Sequence, residues 1–77
     1  MLTTEQLFQA KDTDDNFNWR EFYLQKKEAF TNAAKSWRMI AHTAQLDGDY
    51  DVVRMAHRNA LENESWAKDY ERKANQL

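Results

Sequence analysis

Between Trp19 and Leu46 the chain has no helix-breaking residue, and its apolar positions recur with a helical period. Positions 19, 23, 26, 30, 33, 37, 40 and 44 read Trp, Tyr, Lys, Phe, Ala, Trp, Ile, Ala. This alternating spacing of four and three, with Lys26 as its polar member, is that of a helix packed along its whole length against another. The spacing returns at 53, 56, 60, 63, 67, 70, 74 and 77, which read Val, Ala, Ala, Asn, Ala, Tyr, Ala, Leu. Between the two runs lies Asp47-Gly48-Asp49, containing the only glycine of the chain. Glycine adopts the left-handed conformation that ends a helix, so the chain is expected to reverse there. Antiparallel partners then have numbers summing to about 97, which sets Trp37 against Ala60, Phe30 against Ala67 and Tyr23 against Ala74. Large facing small is how two close helices fill the space between them.

Helix starts are marked as well. Asn18 with Glu21 forms a capping box, and Phe17 with Phe22 the matching hydrophobic staple. Thr3 with Gln6, flanked by Leu2 and Leu7, repeats that grammar near the beginning of the chain. Asp49 is placed to cap the last helix, and Asp51 to interact with the positive end of its dipole. The expected fold is all-α: a long antiparallel helical hairpin, about 19–46 and 50–75, with a short N-terminal helix, about 4–11, packed on it. All 77 residues are expected to form one domain.

Trp37, Ile40, Ala41 and Ala44, followed by Gly48-Asp49-Tyr50-Asp51 and then Ala60-Leu61, resemble one tetratricopeptide-repeat helix hairpin. The resemblance covers Trp37 to Leu61 and implies a helix–turn–helix unit able to bind a peptide. Val53 stands where that family prefers alanine, and Ser65 where a proline usually closes the unit. No second copy precedes or follows, although such repeats stack on their neighbours. A shorter stretch, Ser65-Trp66-Ala67 through Tyr70, resembles part of a phage nuclease-inhibitor helix.

Composition narrows the function classes. Proline and cysteine are absent, which excludes disulfides and thiolate metal sites and disfavours a β-rich fold. The formal net charge is -2 with acids and bases interspersed, so bulk electrostatics do not point to nucleic acid. No apolar run approaches the roughly 20 residues of a membrane span, and the expected location is the cytoplasm.

Candidate chemistry is sparse. Asp47, Asp49 and Asp51 alternate like the first ligands of a calcium loop, but Val52 and Arg58 occupy the places of its glycine and its closing glutamate. Asp12, Asp14 and Asn16 fail in the same way. His42 and His57 have no ligand-type residue three or four positions away. Ser36 and Ser65 have no histidine base nearby. No catalytic residue, metal, cofactor or small-molecule substrate is therefore expected. Arg54, Arg58, Lys68 and Arg72 form basic stripes interleaved with acids, and define the alternative of a nucleic-acid-associated regulator.

The apolar residues left outside the two seams point elsewhere. Phe22, Met39, Met55, Leu61 and Trp66 are the candidate contacts for a protein partner or a second copy, being of types that interfaces enrich. The expected function is a non-enzymatic interaction module, a homodimer, of the regulatory or inhibitory kind found among phage and bacterial accessory proteins.

Overall fold

The computed structural model describes residues 17–77, so the helix expected at 4–11 lies outside the described residues. Two long helices make up the described chain: α1, Trp19–Asp47, and α2, Tyr50–Asn75. They pack side by side as an antiparallel hairpin. The fold is the all-α hairpin that the hydrophobic spacing predicts.

Each helix begins and ends for a local reason. At the start of α1, the Asn18 side chain accepts from the Glu21 backbone N–H at 3.0 Å, relieving one of the unpaired donors of the first turn. The Phe17 and Phe22 rings lie 6.0 Å apart, completing the staple. At the other end Gly48 sits at φ 76°. The Gly48 N–H donates to the Gln45 carbonyl at 3.1 Å, and the Asp49 N–H to the Ala44 carbonyl at 2.9 Å. These two bonds form the Schellman arrangement that closes a helix with a left-handed residue. Asp49 then accepts from the Val52 N–H at 3.3 Å and starts α2.

The interior of α1 is unbroken through Thr31-Asn32. The hydroxyls there do not compete with the helix. Thr31 Oγ1 donates to the Lys27 carbonyl at 2.8 Å, and Ser36 Oγ to the Asn32 carbonyl at 3.2 Å.

The seam between the helices is lined by alanine. The buried apolar residues are Ala34, Ala41 and Ala44 on α1, with Ala56, Ala60, Ala67 and Ala74 on α2. Asn63 is the one buried polar residue among the described residues, and its amide donates to the Asn59 carbonyl at 2.7 Å. On α2 the buried set follows the expected spacing. On α1 it does not: Ala34 and Ala41 are buried where Ala33 and Ile40 were expected, so every second position of that seam moves on by one residue. Hydropathy alone favours Ile40 inside. The buried apolar line, however, is all alanine, with Ala56 and Ala60 fully covered, as two helices in close contact require: a methyl group fits there and a branched chain does not. Ile40 is displaced to the flank and is 41% exposed.

The expected register holds. Contacts across the hairpin join Tyr23 to Tyr70, Lys27 to Glu71, Phe30 to Trp66, and Arg38 to Glu64. Their numbers all sum to within about five of 97, the spread expected from side chains reaching up or down one helical turn. Trp37, Phe30 and Tyr23 are half-buried beside the alanine line rather than seated in it.

Candidate functional site

The seam divides the hairpin into two unlike faces. On one, charge pairs span the helices. Lys27 Nζ lies 2.8 Å from a Glu71 carboxylate oxygen, and Arg38 Nε donates to Glu64 at 3.1 Å. The hydrogen bond from Lys27, reinforced by its charge, lowers the Glu71 pKa from its ordinary 4.5. All four side chains are about half exposed, so these pairs set register more than they add stability.

The other face is apolar. On α1, positions seven apart share a helical phase, giving the row Trp19, Lys26, Ala33, Ile40, Asp47 along one edge of the seam. On α2 the matching row is Val52, Asn59, Trp66, Lys73. The ring contacts show that these edges border the same face. Phe30 packs edge-on to Trp66 at 5.4 Å and stacks on Tyr70 at 5.7 Å, and Tyr70 lies 6.1 Å from Tyr23. Lys73 Nζ sits 5.0 Å from the Tyr70 ring centre and 6.0 Å from that of Tyr23. At the open end, Phe17, Trp19, Phe22 and Tyr23 form a further cluster of rings, with Lys26 Nζ 5.5 Å from Phe22. At the turn end an open cleft of about 400 Å³ is lined by Met39, Ile40, Thr43, Ala44, Asp47, Asp49 and Val52.

These surroundings place each candidate contact residue. Trp66, 45% exposed, lies in the middle of the apolar face. Phe22 belongs to the ring cluster at its open end. Met39, 71% exposed, borders the turn-end cleft from the outer side of α1. Met55 lies one turn from Val52 and Asn59, on the outer edge of the α2 row. Leu61, 62% exposed, is three residues from Glu64 and four from His57, and so sits toward the charged face. Four of the five border the apolar face, and Leu61 does not. Beside them on that face stand Tyr23, Phe30, Ile40, Val52 and Tyr70, which residue type did not pick out. The signal for Ile40 and Val52 is the seven-residue repeat of the two edges, whereas Tyr23, Phe30 and Tyr70 belong to the seam spacing itself.

Arg54, Arg58, Lys68 and Arg72 lie on the outer side of α2, away from this surface, and two of them are engaged locally. Arg54 pairs with Asp51, and Arg72 with Asp69. Lys68 adds to the positive field at Glu71, while Arg58 is exposed. Among the described residues no three His, Asp or Glu side chains gather as a metal ion requires. Nor is any helix among them long and apolar enough to cross a membrane.

Comparison with protein-family models, curated protein sequences and solved structures finds no match to this chain. The tetratricopeptide likeness therefore rests on Trp37 to Leu61 alone. The helices of 29 and 26 residues also run well past the limits of a repeat whose whole length is about 34 residues.

Proposed function

We infer that the hairpin is a non-enzymatic protein-interaction module of regulatory or inhibitory type, and that its apolar face is the surface that docks. The carrying observation is the contrast between what is buried and what is not. Every buried apolar residue in the described chain is alanine, while Ile40, Met55 and Trp66 stand 41–45% exposed beside the seam. A buried methyl group contributes about 0.8 kcal/mol, against roughly 1.5–3 kcal/mol for a whole Leu, Ile or Phe side chain. A single layer of two helices thus leaves its larger apolar side chains where only a second layer can use them. Such layers are completed by another chain in many helical interaction proteins.

The face supports binding better than catalysis. Its polar groups are two lysines, two aspartates, an asparagine, Thr43 and the hydroxyls of Tyr23 and Tyr70, with no histidine base among them. The basic residues that would serve nucleic acid lie on the outer side of α2, with Arg54 and Arg72 bound to aspartates.

The test is substitution within the face. Trp66→Glu is expected to leave the helical circular dichroism unchanged and to abolish association, measured by light scattering across protein concentrations and by binding to any partner the parent protein retains. Association surviving Trp66→Glu and Ile40→Glu together, with the helices intact, would place docking elsewhere.

A further inference from the structure

We propose that the apolar face is covered by a second copy of this chain, turned end for end, so that the open end of each hairpin lies over the turn end of the other. This rests on the reading of that face as a docking surface and names its occupant. Three observations carry it.

The first is charge. Lys26 and Lys73 border the face at its open end, each lying against aromatic rings. Asp47 and Asp49 border the turn-end cleft together with Ile40 and Val52. One face therefore carries opposite charges at its two ends. A parallel arrangement would bring lysines to lysines and aspartates to aspartates, whereas the end-for-end arrangement pairs them.

The second is spacing. A twofold axis lying across the helices makes each edge pair with itself, residue i against j and j against i. On α1, the alignment that sets Lys26 against Asp47 of the second copy also sets Ala33 against Ile40, small against large. On α2, the row aligns Lys73 with Val52, beside Asp49, and Trp66 with Asn59. The two rows reach these alignments about a common level, within roughly two residues or 3 Å.

The third is area. A helix of 29 residues is about 43 Å long, and two neighbouring helices present a face about 20 Å wide. That gives about 800 Å² per copy, the amount a stable interface buries on each side.

The product is an antiparallel four-helix bundle with Trp66, Ile40 and Phe30 in its interior and ion pairs at both ends. The experiment is a charge-swap cycle on the full-length chain, read by sedimentation equilibrium. Lys26→Glu and Asp47→Lys are each expected to weaken dimerisation about tenfold, because symmetry places the change at two sites. The combined variant is expected to recover most of that loss. Ala33→Cys with Ile40→Cys is expected to give an oxidised covalent dimer. Within one helix these positions are about 10 Å apart and cannot bridge, and the chain has no other cysteine.

A dimer insensitive to both swaps overturns the end-for-end arrangement. A strictly monomeric parent overturns the second copy as occupant, and hydroxyl-radical footprinting of that monomer then separates the two readings. Protection of Trp66 and Ile40 would mean residues 1–16 cover the face in cis. Full labelling of both, unchanged by any partner, would overturn the docking surface as well.

Discussion

The residues that decide this structure are the smallest ones. Ala56 and Ala60 are fully buried, at 0% exposure, and the close approach of the helices depends on nothing larger standing there. Ala60→Leu should therefore destabilise the hairpin by about 2–3 kcal/mol through overpacking, while the same change at the exposed Ala29 should be nearly neutral. Urea denaturation of the two variants checks this, and equal midpoints would show that the helices do not meet at Ala60. Trp37 is half-buried, so Trp37→Ala should cost about 2 kcal/mol, roughly half of what a fully buried aromatic loses. Here hydropathy and packing gave different answers. Ile40 is the more hydrophobic of the pair 40 and 41, yet Ala41 is buried, and the residues buried on α2 at Ala56 and Ala60 are methyl-sized too.

At the scale of the elements, most of the architecture was legible. The cap at Asn18, the staple of Phe17 and Phe22, the reversal at Gly48 and the cap at Asp49 are all interactions between residues within five positions of one another. Local chemistry of that kind is written directly in the sequence. Gly48→Ala should cost about 1–2 kcal/mol from its left-handed backbone alone, since a Cβ there meets no atom within 4 Å. A smaller loss in Gly48→Asn would confirm that conformation, not crowding, is the cause. The charged face has a pH signature. The lowered pKa of Glu71, caused by Lys27, means this carboxylate favours the folded hairpin above its ordinary pKa of 4.5, and that the contribution disappears as pH falls through its lower folded-state value. Thermal melts of the parent should therefore lose stability on acidification more steeply than those of Glu71→Gln. Identical pH profiles would show that the Lys27 contact is absent in solution.

At the scale of the whole molecule, the candidate site was legible only in part. Residue type singled out Trp66 and Phe22, which border the apolar face, and also Leu61, which lies toward the charged side. The difference is one of phase: which side of each helix looks outward follows from how the pair packs, and that was fixed by Ala34 and Ala41. Once that phase is known, the rows through Ile40 and Trp66 stand on a common face, with Asp47 at one end and Lys26 and Lys73 at the other. A hairpin of two helices is one helix deep, and its stability should be tied to whatever completes the second layer. The most direct measurement is the melting temperature of the full-length chain over a roughly hundredfold range of protein concentration, beside Trp66→Glu. The parent Tm should climb with concentration, and the variant Tm should be lower and flat. A parent Tm independent of concentration and equal to that of the variant would contradict docking through this face.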